Sequence, residues 1–172
     1  MSGKERRWAW ELFQTIALAL VLAVVIRAYV VITYRVDGPS MENTLHSGER
    51  LFVNRMVYRF RPPERGEIIV FSYPLDPSRD FIKRIVGLPG DRVEMRQGVV
   101  YINGEPLEEP YLSRRPPSNF PPVVVPENSV FVLGDNRGNS EDSRYFGAVP
   151  YELIKGPIFL RYWPLGSFRI IH

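Results

Sequence analysis

GVVYINGEPL, residues 98–107, is the stretch whose reading decides the fold. Val99 to Ile102 are β-formers, and Asn103-Gly104 follows them before the chain turns apolar again at Leu107. Asn-Gly tolerates the two positive φ angles of a tight turn, so the stretch reads as a β-hairpin. Outward from it the same texture recurs in GEIIVF (66–71), FIKRIVGL (81–88), DRVEM (91–95), SVFVLGD (129–135), GPIFLRYW (156–163) and SFRII (167–171). Each is short, rich in β-branched or aromatic residues, and close to turn-forming residues. Prolines crowd the chain between Glu108 and Asn128, where a long loop or flap is expected over 108–128. PYELIKG (150–156) reads as a short helix, with Pro150 at its start and Gly156 as its cap. The expectation is a mostly β fold, an antiparallel sheet domain over residues 35–172.

Upstream the period changes. LFQTIALALVLAVVIRAYVVI (12–32) holds a single charge, Arg27. As a helix this run would measure roughly 31 Å, the thickness of a hydrocarbon core. Trp8, Trp10, Tyr29 and Tyr34 flank it as interfacial aromatics do, and Lys4, Arg6 and Arg7 precede it. A single transmembrane anchor over 12–34 is expected, with residues 1–11 in the cytoplasm and the β domain outside. A cleaved signal peptide would need a shorter apolar core and a small-x-small site, and IRAYVVITYRV offers none.

The chain has 172 residues, 45% of them hydrophobic, enough for one packed domain plus an appendage. Cysteine is absent, which excludes disulfide frameworks and most zinc sites. The net charge of +3 comes from arginines scattered among acidic residues, a pattern that suits a membrane surface and gives no reason to expect nucleic acid. No cofactor or metal is expected.

Lysine occurs at Lys4, Lys83 and Lys155 alone; every other basic residue is arginine. Arginine cannot give up its proton at ordinary pH, whereas a buried lysine can. In DFIKRIVGLPGD (80–91), strand alternation puts Phe81, Lys83 and Ile85 on one face and Ile82, Arg84 and Val86 on the other. If Lys83 lies against that apolar face, desolvation lowers its pKa and leaves some neutral amine to act as a general base. From this segment alone, an edge-strand lysine in water remains open. A serine hydroxyl needs such a base before it can act as a nucleophile. GPSMENTL (38–45) offers Ser40 soon after the apolar run, and His46 six residues on is the other candidate base. GDNRGNSEDSR (134–144) is either a solvated turn or a brace in which Asp135, Asp142, Arg137 and Arg144 pair and Ser140 or Ser143 holds the lysine.

With these stretches in order, the sequence resembles the bacterial type I signal peptidases, in their smaller Gram-positive-like branch. The resemblance covers nearly the whole chain: the N-terminal run, PSMENTL, RGEIIVF (65–71), FIKRIVGLPGD and GDNRGNSEDSR. It implies a membrane-bound serine endopeptidase that cleaves signal peptides from exported preproteins through an acyl-enzyme. Ser40 would be the nucleophile and Lys83 the general base. Ser140 would hold the Lys83 amine, and Asp142 and Arg144 would form a supporting ion pair beside Asp135 and Asn136. The Ser40 backbone N–H would serve the oxyanion hole, and Met41, Phe81 and Ile82 would line the substrate pocket. The implied partners are signal peptides, the lipid bilayer and, as a candidate, the secretion translocon; the implied place is the outer face of the cell membrane. Gly38 stands where some members carry an oxyanion-hole serine, Asn43 where proline is common, and Phe81 where tyrosine is common. Ser40 follows Ile32 by eight residues, a reach of at most ~29 Å, so the hydroxyl is tethered near the membrane face. Two other readings stand beside this one: a Ser/Lys protease of the self-cleaving-repressor type, and a tethered β module that binds peptides by strand addition.

Overall fold

In a computed structural model, which describes residues 3–25 and 30–171 (the side chains of residues 3–6, 9 and 25 excepted), Asn103 and Gly104 take φ of 55° and 91°. They join strands β6 (Val99–Ile102) and β7 (Glu105–Pro106), which pair antiparallel with Ile102 opposite Glu105. The expected hairpin is present, and Gly104 takes the second positive φ without side-chain strain.

The remaining strands are β1 (Val31–Arg35), β2 (Arg50–Asn54), β3 (Ile68–Tyr73), β4 (Asp76–Gly87), β5 (Arg92–Arg96), β8 (Phe120–Val124), β9 (Ser129–Leu133), β10 (Val149–Pro150), β11 (Ile154–Trp163) and β12 (Arg169–Ile170). Every pairing among the described residues is antiparallel. One sheet runs β1-β2-β11-β3-β4-β9-β10, with β12 beside β11, and a smaller sheet runs β7-β6-β5-β8. Val86, Phe131 and Leu133 of the large sheet meet Val93, Met95, Val100 and Ile102 of the small one in a shared core. The large sheet is buried on both faces. Ile69, Phe71, Ile85, Val130 and Val132 pack on one side, and Met41, Leu45, Leu51, Val53, Ile68 and Val70 on the other. The mostly β, antiparallel fold expected of the sequence is the one observed.

Two expectations and the far bound of a third need correction. Residues 108–128 are not loop throughout, because Phe120–Val124 form β8 and add to β5. PYELIKG is not a helix: Tyr151–Leu153 make one 3₁₀ turn and the chain enters β11 at Ile154. Pairing of Ile154 with Phe71 and Gly156 with Val70 overrides the local helix signal, and Gly156 lies in a strand rather than at a cap. At the N-terminus, helix α1 spans Gly3–Val25, while Val31–Arg35, the end of the expected 12–34 span, pairs with β2. Arg27 and Tyr29 lie outside the described residues. Among the described residues no helix is long and apolar enough to cross a membrane. β2, with its sequence RLFVN, was too short and mixed to stand out.

Candidate active site

The turn that carries Ser40 leaves the sheet after β1 and returns to it at β2. Gly38 opens it at φ +84°, Glu42 N–H donates to the Pro39 carbonyl at 3.0 Å, and Leu45 N–H to the Met41 carbonyl at 2.8 Å. Met41 and Leu45 are buried in the core and nail the turn down from beneath. From the side, Asn136 clamps it: its backbone N–H donates to the Ser40 carbonyl (3.0 Å) and its side-chain amide to the Pro39 carbonyl (3.1 Å). No acceptor meets the Ser40 N–H among the described residues.

β4 supplies the amine. Lys83 lies opposite Ile69 of β3, on the same face as Phe81 and Ile85, and only 4% of it is exposed. Its Nζ is 2.8 Å from Ser40 Oγ and 3.1 Å from the Ile82 carbonyl, and it stands over the Phe81 ring. Burial pulls the amine down from its ordinary 10.5 to about 8, against the upward pull of Asp142 and then Glu141. Position 83 therefore holds a buried amine of lowered pKa in contact with a hydroxyl, not a solvated edge-strand lysine. His46 is exposed and makes no hydrogen bond to Ser40 among the described residues.

The 134–144 segment is a brace. Asp142 accepts from Arg144 Nε at 2.8 Å and Nη2 at 2.9 Å, and also from the Gly134 N–H at 3.0 Å. It caps α2 (Ser143–Phe146) as well. Asp135 is held elsewhere, by Arg84 Nε at 2.9 Å and Nη2 at 2.7 Å and by the Thr44 hydroxyl at 2.5 Å. That pair ties β4 and the brace to the turn that carries Ser40. The expected hydrogen bond from Ser140 to the amine is not formed. Lys83 spends its reach on Ser40 and Ile82, and Ser140 Oγ is buried without a partner. Ser140 lies instead against Gly134, where a Cβ would come within 2.2 Å of its oxygen and 2.5 Å of the Ser40 carbonyl. Hydroxyl and carbonyl are thus neighbours across a residue that must be glycine. Ser143, the other serine considered, donates nothing to Lys83; its Oγ accepts from the Val132 N–H.

A cleft of about 510 Å³ is lined by both members of the pair and by the runs 34–41 and 79–83 in which they lie. Met41, Phe81 and Ile82 all line it, as expected of pocket residues. Several site residues escaped sequence reading. Arg84 was set aside on the other strand face, yet it is 6% exposed and paired. Glu109 was missed too: it reaches in from the proline-rich segment to pair with Arg137, a residue expected in the brace, and both are buried. The available signal was that a buried guanidinium requires a buried carboxylate.

The arrangement can deprotonate a hydroxyl and hold an extended chain beside it. The family model for signal peptidase, peptidase S26, matches residues 9–163. A Synechocystis protein named "Probable signal peptidase I-2" is 45% identical over 95% of this chain and 77% of its own length. A signal peptidase I of Bacillus caldolyticus is 38% identical over 95% of this chain and 93% of its own. The crystal structure of a signal peptidase I from Enterococcus faecalis superposes with a TM-score of 0.52 at 37% identity, covering 56% of this chain and 97% of that one. The family model spans most of the chain, and relatives at 38% and 45% identity cover 95% of it: the chain belongs to the signal peptidase family, peptidase S26.

Proposed function

We infer that this protein is a serine endopeptidase that cleaves signal peptides from exported preproteins, with Ser40 as nucleophile and Lys83 as base. The observation that carries the assignment is the 2.8 Å contact between a 4%-exposed amine and the Ser40 hydroxyl. The neutral amine takes the Ser40 proton as Oγ attacks the scissile carbonyl. The ammonium then gives that proton to the leaving amine, and the amine, neutral again, activates the water that hydrolyses the acyl-enzyme. The unengaged Ser40 N–H is the donor available to the oxyanion, which lets Gly38 stand where other members carry a serine. Once Ser40 is esterified, Lys83 loses the Ser40 hydroxyl and keeps only the Ile82 carbonyl. Ser140, whose hydroxyl is buried and unpartnered next to Gly134 and the Ser40 carbonyl, is the group available to steady the amine.

The substrate's small-x-small end would lie extended in the cleft against Met41, Phe81 and Ile82. We further propose that α1 and the residues after it anchor the chain once in the cell membrane, N-terminus inside and catalytic domain outside. The support is the 12–32 run together with the exposure of Leu12, Phe13, Ile16, Leu18, Leu20, Val21, Leu22 and Val24 on α1. Such a stripe on all sides of a helix suits lipid. The secretion translocon, which delivers such substrates, is the protein neighbour this reading implies.

The deciding experiment is preprotein cleavage by the detergent-solubilised full chain. Ser40→Ala, Lys83→Ala and Lys83→Arg should each lose processing while melting cooperatively; His46→Ala should keep it. Robust cleavage by Lys83→Arg removes the base from the mechanism, since arginine cannot accept the proton.

A further inference from the structure

A second cleft, of about 540 Å³, lies across the nucleophile turn from the first. The two share their walls in sequence. Pro39 to Met41 face the first and Glu42 and Asn43 the second; Asn139 and Glu141 face the first and Asp135 to Gly138 the second. A peptide lying in the first cleft and crossing Ser40 is therefore delivered into the second. Tyr34 and Arg35 of β1, the strand that follows α1, line the first cleft and not the second, so on the signal-peptidase reading the first takes the signal peptide and the second the mature segment.

The second cleft is roofed by the proline-rich segment. Ser113 Oγ donates to Asn43 Oδ1 at 2.7 Å, and Pro116 packs on Gly138. Gly98 N–H donates to the Ser118 carbonyl at 2.9 Å, which fixes the far end of the roof to the small sheet. Between these attachments Arg114 and Arg115 line the cleft and stay exposed. The deeper charges on its walls cancel: Asp135 is paired with Arg84, and Arg137 with Glu109. Glu42, Arg114 and Arg115 make no ion pair among the described residues, so two guanidiniums face one carboxylate there. An opposed charge in a partly walled cleft attracts, and the effect fades as salt screens it.

We propose that this cleft binds the first few residues of the mature protein, and that Arg114 and Arg115 select for acidic side chains among them. The proposal rests on the signal-peptidase reading above, because it needs a scissile bond at Ser40.

The test uses the full chain in detergent and one preprotein in three versions. Two of its first four mature residues are glutamate, glutamine or lysine. At low salt, kcat/KM should fall in the order glutamate, glutamine, lysine, by about two- to fivefold per step, the size of exposed ion pairs. The spread should close near 1 M salt, where screening reaches ~3 Å. The double variant R114E/R115E should invert the order, a change of sign that a merely structural role for the roof would not produce. Equal rates for all three versions, or an unaltered order in the variant, overturn the proposal and leave the peptidase intact. Cleavage of none of the three by the wild-type chain brings down the peptidase reading, and this inference with it.

Discussion

The amine of Lys83 sits where an ammonium is poorly solvated, with the Phe81 ring and the Ile69 side of the sheet around it. A native value of about 8 against 10.5 means that the folded protein binds a proton less tightly than the unfolded chain. The unfolded state thus holds more protons between pH ~8 and ~10, and stability contributed at this site rises with pH across that window. At neutral pH the deficit is about 3 kcal/mol. Lys83→Met should therefore raise the melting temperature at pH 7 by a few degrees, and the gain over wild type should shrink as pH climbs towards 10. Thermal melts at several pH values check this; a constant gain would mean that packing and not charge is responsible. Activity takes the same titration with the sign that suits a base. Only the unprotonated amine works, about a tenth of the molecules at pH 7, so kcat/KM should climb roughly tenfold per pH unit below 8 and level off above it. A profile flat from pH 6 to 9 would exclude Lys83 as the group that takes the proton. Gly134 is the second sensitive position. A methyl group there meets Ser140 and the Ser40 carbonyl, so Gly134→Ala should cut kcat by about a hundredfold through displacement of the hydroxyl, with the fold retained.

Among the elements, the ones that announced themselves were those whose own residues determine them. The Asn103-Gly104 hairpin is written in two residues with the right φ tolerance, and the alternation of β4 correctly placed Lys83 among Phe81 and Ile85. Ser40, Lys83 and the Asp142–Arg144 pair were legible because their types and order are unusual together. What could not be read was decided at a distance. Phe120–Val124 becomes a strand only because β5 offers an edge, and Ile154–Gly156 because β3 does. Ser140's lack of a hydrogen bond to Lys83 depends on rotamers that no spacing encodes. The Arg84–Asp135 pair likewise joins residues far apart in sequence, and it is nearly dry on both sides, at 7% and 0% exposure. Removing one charge from such a pair strands the other. Asp135→Ala should cost about 3–5 kcal/mol in denaturant unfolding and loosen the Thr44 end of the nucleophile turn. A loss below 1 kcal/mol would show that water replaces the carboxylate easily.

For the molecule as a whole, the placing of β1 has a practical edge. A truncation designed from hydropathy alone would begin at residue 36 and discard Val31–Arg35, which pair residue for residue with β2. Tyr34 packs on the core that holds Met41 and Leu45, so the shortened domain loses support directly under its hydroxyl. A chain beginning at residue 30 should fold and cleave a soluble signal peptide, while one beginning at residue 36 should aggregate or lose most of its activity. Equal behaviour of the two would show β1 to be dispensable.

Ser40 follows the start of β1 at Val31 by nine residues, and even fully extended that join reaches no further than ~32 Å. On the anchored reading this join acts as a plumb line: it fixes the altitude at which peptide bonds are cut above the lipid. Lengthening or shortening it would then change which bonds come within range, so the boundary between leader and cargo is measured partly by the enzyme's own stem.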